Sequence, residues 1–244
     1  MHSIILAKYE DWVSNSLNPE NTIGNYSKIF LSHQGRKSLK WNHYLPVYDD
    51  IVNYLIIRFG ESIRILEIGV LNGGSIEIWR KLFGAKADIW GIDIDPKCAE
   101  MGLDANIKIG SSADRNFLKF ISDEAQYFNL IIDDGSHHSK HQQIAFESLF
   151  PYLSDDGYYI IEDTEHSYYW RQSGGYLRPS SIIQISKRLI DHINGDFFMF
   201  PKLRTFKIET QSVHSLTFLQ GMIIINKNKK IQPNQVWSGP GTNS

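Results

Sequence analysis

The sequence has little cysteine and no long apolar run. Cys98 is the single cysteine among 244 residues, which excludes an intrachain disulfide framework and favours a reducing compartment. No segment approaches the roughly 18 consecutive apolar residues of a membrane-spanning helix. The apolar run in MHSIILAKYEDW is also too short for a signal-peptide core. We therefore expect a cytoplasmic protein without a membrane span.

An excess of charge of either sign is also missing. Lys and Arg number 25 against 27 Asp and Glu, so the formal net charge is −2. Proteins that bind nucleic acid or a membrane surface usually carry a basic stripe or a polybasic block, and the sequence has neither. We expect no nucleic acid among the partners, and other partners must be inferred from individual sites.

Apolar residues make up 42% of the chain, which is enough for a sizeable core. Residues 1–45 carry scattered aromatics, Asn and Ser without a repeat, and we interpret them as a cap of helices and loops. Residues 46–244 are predicted to form an α/β domain, with the whole chain forming a single structural unit.

Helix-like and strand-like segments alternate after the cap. Strands are predicted at 64–69, 87–94, 106–110, 128–134 and 157–163, and helices in a segment of about 12 residues after Pro46 and at 75–83, 96–102, 114–125, 139–152 and 181–195. The stretch 213–227 predicts two more strands joined through Gln220-Gly221, with no room for a crossover helix. The pattern therefore predicts a mostly parallel seven-stranded sheet with a C-terminal antiparallel hairpin and helices on both faces.

The first predicted strand runs into a glycine-containing turn in ILEIGVLNGGS. Glu67 lies near the strand end, and a turn beginning at Gly69 allows the backbone and the next helix N-terminus to approach a ligand. The dinucleotide fingerprint would need glycine where Leu71 stands, which disfavours NAD. The alternative interpretation is a tight turn with no ligand.

Two later segments favour a nucleoside ligand at this edge. Asp93 ends the second strand, where a carboxylate can accept hydrogen bonds from both ribose hydroxyls, as it does in NAD and S-adenosylmethionine sites alike. Ser111 and Ser112 follow the third strand, where an adenine would lie. A serine at that position can instead cap a helix.

Acidic pairs end the fourth and fifth strands. Asp133 and Asp134 follow one apolar run, and Glu162 and Asp163 follow the next. Because the carboxyl ends of parallel strands meet at one edge, these carboxylates would repel one another without a cation. Oxygen ligands favour Mg²⁺, and the lack of cysteine ligands disfavours a histidine-rich zinc site.

A histidine follows the first acidic pair at short distance. His137 lies three residues after Asp134 and is suited to act as a general base beside a metal site. The alternative is a solvated turn with a helix cap, which the second acidic pair argues against. We do not expect His138 or His141 to be ligands.

Four segments of the sequence resemble the metal-dependent class I S-adenosylmethionine sugar O-methyltransferases, such as those acting on macrolide deoxysugars. They are SLKWNHYLPVYDDI, ILEIGVLNGGSIEIWRKLFGAKADIWGIDID, NLIIDDGSHHSKHQ and IIEDTEHSYYW, and the resemblance spans about residues 33–225. It implies a Rossmann-like class I fold, S-adenosylmethionine and Mg²⁺ as cofactors, and a sugar or glycoside as the acceptor.

The resemblance also implies roles for individual residues. Asp134, Glu162 and Asp163 would be the magnesium ligands and His137 the base. The expected cofactor contacts are Glu67, Gly69, Asp93, Ser111, Ser112, Asp133 and Tyr44. The loop EHSYYWRQSGGYLRP is interpreted as a mobile cover for a sugar, with Tyr168, Tyr169, Trp170 and His43 as the expected acceptor contacts. Alternatively, these aromatic side chains only pack the loop in place.

The implied function is methyl transfer to a sugar hydroxyl in natural-product or surface-polysaccharide biosynthesis. Alternatives are a non-sugar acceptor such as a phosphorylated intermediate or a phenol, a cofactor-binding partner in a hydroxylation system, and a non-catalytic nucleoside-binding protein. Leu71 departs from the family's glycine pattern, and the chain is expected to lack the extra N-terminal domain of some macrolide enzymes. The oligomeric state stays open, with a homo-oligomer as one alternative.

Overall fold

A computed structural model of the protein describes residues 24–195, 213–229 and 234–239. Its strands are β1 (Arg64–Ile68), β2 (Asp88–Asp93), β3 (Asn106–Ile109), β4 (Phe128–Asp133), β5 (Leu153–Ile161), β6 (Val213–Leu219) and β7 (Met222–Lys227). Its α-helices are α1 (Asn25–Leu31), α2 (Leu45–Phe59), α3 (Gly74–Phe83), α4 (Arg115–Ala125), α5 (Ser139–Leu149), α6 (Ile182–Lys187) and α7 (Leu189–Ile193). Short 3₁₀ helices span Asn42–Tyr44, Pro96–Met101, Phe150–Tyr152, Thr164–Tyr168 and Trp170–Gln172.

The strands form one seven-stranded sheet in the order β3-β2-β1-β4-β5-β7-β6. The first five strands pair in parallel, whereas β7 pairs antiparallel with both β5 and β6. The predicted hairpin through Gln220-Gly221 and the predicted α/β fold are therefore confirmed. All six residues of β4 are buried, as expected of a central parallel strand covered on both faces.

Alternate residues of the central strands pack into two separate cores. Ile65 and Leu130 face a core that contains the aromatic rings of Tyr26, Tyr48 and Trp79. Their chain neighbours face a second core beneath α4, α5 and α6. This alternation follows from the two-residue period of a strand. Because each face of the sheet is covered by a core, the side chains on both faces of these strands are buried.

The N-terminal cap joins the first core. Residues 1–23 of the cap predicted at 1–45 lie outside the described residues. Within the rest, α1 packs against α2 and α3, and Tyr26 and Tyr44 are fully buried. The domain boundary at residue 46 stays a prediction.

The largest differences from the sequence prediction concern β5 and the helix predicted at 181–195. β5 begins at Leu153 instead of residue 157, and its pairing with β4 shifts register between Phe128 and Leu130, which a continuous period-two pattern does not signal. The helix predicted at 181–195 is divided into α6 and α7 at Arg188. Among the described residues, no helix has both the length and the apolar character needed to cross a membrane.

Candidate active site

The acidic residues lie just beyond the ends of two adjacent strands. The Asp134 amide donates to the Ile68 carbonyl oxygen at 3.0 Å, which fixes the chain after β4 against the end of β1. The Glu162 amide donates to the Asp133 carbonyl oxygen at 3.0 Å and fixes the chain after β5 in the same way. Strand pairing therefore brings the two predicted acidic pairs to one edge.

Three side chains there could hold a metal ion. Ligand atoms of Asp134, His137 and Asp163 all lie within 4.8 Å of one another. The His137 Nε2 atom lies 3.7 Å from Asp163 Oδ2. His137 and Asp163 both have positive φ, at 54° and 51°, a strained conformation that often occurs at functional sites. Two carboxylates at this spacing fit a hard divalent cation.

Glu162, the third predicted magnesium ligand, is buried behind this group. One of its carboxylate oxygens accepts a hydrogen bond from the Tyr48 hydroxyl, and Lys40 Nζ donates to the other at 2.7 Å. Burial raises the pKa of Glu162 above its ordinary value, and the neighbouring Lys40 ammonium offsets only part of that increase. Its role as a metal ligand stays a prediction.

The sequence interpretation did not identify Lys40 as a site residue. Its side chain is 2% exposed, and its Nζ atom also lies 2.6 Å from Asp134 Oδ2. Burial by itself lowers the pKa of Lys40, but the Glu162 and Asp134 carboxylates raise it well above its ordinary value. The lysine is therefore held as an ammonium ion between two of the predicted magnesium ligands.

Two aromatic residues near Lys40 position Asp163. The Trp41 indole nitrogen donates to Asp163 Oδ1 at 3.1 Å, and the Tyr44 hydroxyl lies 3.2 Å from the same oxygen. Tyr44 also donates to the Gly221 carbonyl oxygen at 2.7 Å, and the His43 ring contacts the Gln220 carbonyl oxygen at 2.9 Å. Contacts with the hairpin turn therefore hold Tyr44 and His43 in place. Trp41 is a second residue, after Lys40, that was not predicted from the sequence.

We call Asp134, His137 and Asp163 together the acidic group. A cavity of about 920 Å³ opens beside it. Its lining includes most of the predicted site residues, namely Glu67, Gly69, Asp93, Ser111, Ser112, Asp134, His137 and Asp163. The volume is within the usual range for small-molecule sites. One cavity therefore brings together residues from the ends of β1, β2, β3, β4 and β5.

The turn after β1 requires glycine because other chain segments press against it. A Cβ atom at Gly69 would lie 2.2 Å from the Asp134 carbonyl oxygen, and its φ is 97°. A Cβ at Gly74 would lie 2.4 Å from the Arg36 carbonyl oxygen. These contacts account for both glycines by packing alone, so they do not by themselves distinguish a ligand site from a tight turn.

Asp93 and Glu67 hold fixed positions in the cavity wall. The Asp93 carboxylate accepts hydrogen bonds from the amides of Leu71 and Asp95, each at 2.9 Å. Glu67 accepts one from the Trp79 indole at 2.9 Å, and burial raises its pKa. Both carboxylates are therefore oriented before a ligand arrives.

The remaining predicted cofactor contacts occupy different environments. The Ser111 hydroxyl accepts from the Ala113 amide at 3.1 Å, but Asp114 is the residue whose side chain caps α4. Asp133 is 1% exposed, and burial raises its pKa to about 7. Asp133 and Tyr44 are not among the residues that line the cavity. Their assignment as cofactor contacts stays a prediction.

An aromatic loop follows Asp163 and reaches the site through His166. The His166 ring lies 4.9 Å from the His137 ring and 5.3 Å from the Tyr169 ring, measured between centroids. Tyr168, Tyr169 and Trp170 are 53%, 52% and 74% exposed. Their role as acceptor contacts stays a prediction.

Two further histidines are held by serines. His138 Nε2 lies 3.0 Å from the Ser173 hydroxyl, and His141 Nδ1 lies 2.9 Å from the Ser136 hydroxyl. Neither belongs to the potential metal-binding group found in the described residues. Their expected exclusion from the ligand set is consistent with this arrangement.

The single cysteine lies next to Leu71 and Asp93 and should be unreactive. Burial, and next the Asp93 carboxylate, raise the pKa of Cys98 to about 11. At pH 8 about 0.1% of such a thiol is ionised, so we expect negligible reaction with Ellman's reagent in the native protein and one equivalent after denaturation. Rapid labelling of the native protein would contradict this environment.

The curated relatives are sugar O-methyltransferases. Over 219 residues the chain is 27% identical to a rhamnosyl-tetracenomycin 3'-O-methyltransferase of Streptomyces olivaceus, covering 84% of this chain and 54% of the relative. It is 34% identical over 144 residues to mycinamicin VI 2''-O-methyltransferase of Micromonospora griseorubida, covering 54% and 36% of the two chains. The chain thus spans about half the length of these relatives, or less. No family model matches the chain.

The solved structures agree. The MycE methyltransferase of mycinamycin biosynthesis, in complex with Mg and SAH (S-adenosylhomocysteine), aligns with a TM-score of 0.70 at 26% identity, over 84% of this chain and 54% of that one. An O-methyltransferase-like protein from Staphylococcus aureus aligns at 0.54 with 13% identity, over 89% of this chain and 98% of that one, which supports the fold alone. The resemblance inferred from the sequence is confirmed: the chain has the class I methyltransferase fold and is a homologue of the macrolide and tetracenomycin sugar O-methyltransferases.

Proposed function

We propose that the protein is a magnesium-dependent O-methyltransferase that moves the methyl group of S-adenosylmethionine to a sugar hydroxyl. The observation that carries this proposal is the position of His137, which lies beside Asp134 and Asp163 at the wall of a cavity lined by Gly69 and Asp93. A nucleoside-binding protein without catalysis would need neither the histidine nor the acidic group.

The cavity supports binding of S-adenosylmethionine. Asp93 would accept hydrogen bonds from the ribose hydroxyls, Ser111 and Ser112 would lie along the adenine, and Glu67 would face the amino acid end of the cofactor. When bound, S-adenosylmethionine supplies an electrophilic methyl group, and Mg²⁺ supplies a Lewis acid that lowers the pKa of an acceptor hydroxyl.

The acidic group supports binding of Mg²⁺. Asp134 and Asp163 present carboxylates within one ion's reach, and Asp163 is oriented by Trp41. Glu162 would join them as a ligand if its contacts with Lys40 and Tyr48 changed. We retain Asp134, Glu162 and Asp163 as the proposed ligand set on this basis.

His137 is the proposed general base. Its Nδ1 atom is buried and has no hydrogen-bond partner in the described ranges, while its Nε2 atom faces Asp163. The ring would accept the proton of the acceptor hydroxyl. His137 lines the cavity, so its ring lies where an acceptor bound there would meet it.

The exposed aromatic loop supports a glycoside acceptor. Tyr168, Tyr169 and Trp170 offer rings that can stack on a sugar face or on an apolar aglycone, and His43 lies across the site near the hairpin turn. We propose that the pathway is natural-product or surface-polysaccharide biosynthesis in the cytoplasm. Incubation with S-adenosylmethionine, Mg²⁺ and a panel of deoxysugar glycosides tests this by mass spectrometry.

In that assay, formation of a methylated glycoside together with S-adenosylhomocysteine is the expected result. Methylation of only phenols or phosphorylated acceptors would contradict the sugar assignment. Cofactor binding without S-adenosylhomocysteine from any acceptor class would contradict the enzyme assignment.

Substitution of Asp93 tests the cofactor site. Asp93→Asn should weaken S-adenosylmethionine binding by about 10-fold to 100-fold, because hydrogen bonds that involve a charged group contribute about 1.5–3 kcal/mol. Calorimetric titration measures the change. The matched control is Asp95→Asn, because Asp95 only caps the following 3₁₀ helix through the Lys97 amide and asparagine caps equally well. Equal affinities of the two variants would contradict the ribose assignment.

A further inference from the structure

Lys40 holds two carboxylates that belong to different strands. Its Nζ atom lies 2.6 Å from Asp134 Oδ2 and 2.7 Å from Glu162 Oε2. The side chain is almost fully buried, with the ammonium 6.0 Å from the centre of the Tyr48 ring. The charge of this buried ammonium is therefore balanced by two carboxylates, each within hydrogen-bonding distance.

The two carboxylates that Lys40 contacts are also wanted by a divalent cation. Asp134 and Glu162 are two of the three proposed magnesium ligands, and one oxygen of each carboxylate already accepts a hydrogen bond from the ammonium. A lysine ammonium and a divalent cation on the same carboxylate oxygens would repel each other strongly in a buried site. The two cations therefore compete for this carboxylate pair.

We propose that Lys40 is an internal competitor of the metal: its ammonium occupies the Asp134–Glu162 pair in the metal-free protein, and metal binding displaces it. This inference rests on the proposed magnesium site. In the metal-free state the lysine keeps the two carboxylates together and neutralises part of their charge, so the site is assembled before the metal arrives.

The position of Lys40 in the chain links the metal site to the cofactor cavity. We call residues 33–41 the covering segment. Several of its members line the cavity, and the Arg36 amide donates to Glu77 of α3 at 2.9 Å while its guanidinium donates to the Met101 carbonyl oxygen at 2.7 Å. Displacement of Lys40 would move the end of this segment that lies nearest the carboxylates. Metal binding therefore changes cofactor affinity through Lys40.

The competing interpretation is that Lys40 is a permanent structural cation that stays paired when the metal binds. The two interpretations differ in what happens to the ammonium when Mg²⁺ binds: a competitor leaves the Asp134–Glu162 pair, whereas a permanent structural cation stays paired. Tighter Mg²⁺ binding after removal of the charge is required by the proposal, and the fate of the Lys40 ammonium on Mg²⁺ binding distinguishes the two.

Titration of Mg²⁺ into four forms of the full chain tests the proposal: wild type, Lys40→Met, Lys40→Arg and Lys86→Met. We expect Lys40→Met to bind Mg²⁺ at least about 10-fold more tightly than wild type. Lys40→Arg, which keeps the charge, should stay close to wild type. Lys86→Met removes an exposed lysine paired with Glu61 and serves as the control for loss of a surface charge.

A second measurement on the wild-type protein does not depend on the stability of Lys40→Met. A buried, paired ammonium should give a slowly exchanging ¹⁵N-lysine NMR signal, assigned by its absence in Lys40→Arg. Saturation with Mg²⁺ should shift or remove this signal, and an unchanged signal would overturn the proposal. The Mg²⁺ effect on S-adenosylhomocysteine affinity should also disappear in Lys40→Met.

The outcomes separate this inference from the function on which it rests. Equal or weaker Mg²⁺ binding by a folded Lys40→Met variant would overturn the role of Lys40 and leave the magnesium site intact. Absence of Mg²⁺ binding by both wild type and Lys40→Met would overturn the magnesium site and the competitor role together.

Discussion

His137→Ala is expected to lower the rate of methyl transfer by about 10²-fold to 10⁴-fold, the usual contribution of a general base. The imidazole lies against the acidic group, 3.7 Å from Asp163 Oδ2, and no other histidine belongs to that group among the described residues. S-adenosylmethionine affinity should stay close to wild type, because the proposed ribose and adenine contacts, Asp93, Ser111 and Ser112, lie at or just after the ends of other strands. Steady-state rates and calorimetric titration of the same preparation measure both quantities.

The matched control for this variant is His214→Ala. His214 is exposed on β6, at the end of the hairpin away from the Gln220-Gly221 turn, so its loss should leave the rate unchanged. Full activity in His137→Ala would contradict the assignment of the base.

Asp134→Asn is expected to abolish the response to Mg²⁺ and to reduce turnover to the level measured with a chelator. Asparagine keeps the size of the side chain but removes the negative charge that a hard divalent cation requires from its ligands. Displacement of Mn²⁺ from solution, followed by electron paramagnetic resonance, measures metal binding independently of activity. The fold should persist, because Asp134 lies after the last residue of β4.

The control for this variant is Asp104→Asn. The Asp104 side chain is 78% exposed and pairs with Arg80 at 2.8 Å, so its substitution removes one carboxylate without approaching the acidic group. Retention of wild-type Mn²⁺ affinity by Asp134→Asn would remove this residue from the ligand set. That result would not change the assignment of the cofactor cavity.

The hairpin shows how much of the fold local sequence specifies. β6 and β7 were predicted within 213–227, and the turn lies at Gln220-Gly221, because two β-rich runs separated by a tight turn can only pair antiparallel. The start of β5 was not predicted, since the register shift opposite β4 depends on the pairing of two strands and leaves no mark on the period of either.

The acidic pairs and His137 were predictable because they directly follow strands whose ends must meet at one edge. Lys40 was not, although it lies within one of the four segments that resemble the sugar O-methyltransferases. Its partners are 94 and 122 residues away in the chain, and a lysine in a segment without periodicity carries no local signal of burial. Trp41 was missed for the same reason, because its contact with Asp163 is formed only in the folded protein.

Calorimetric titration of the wild-type protein with S-adenosylmethionine, in buffer with and without Mg²⁺, is the most direct test of the proposed methyltransferase function. We expect stoichiometric binding of the cofactor and a further heat of Mg²⁺ binding to the complex. Absence of S-adenosylmethionine binding under both conditions would contradict the proposed function and would leave the glycine turn after β1 as a feature of packing alone.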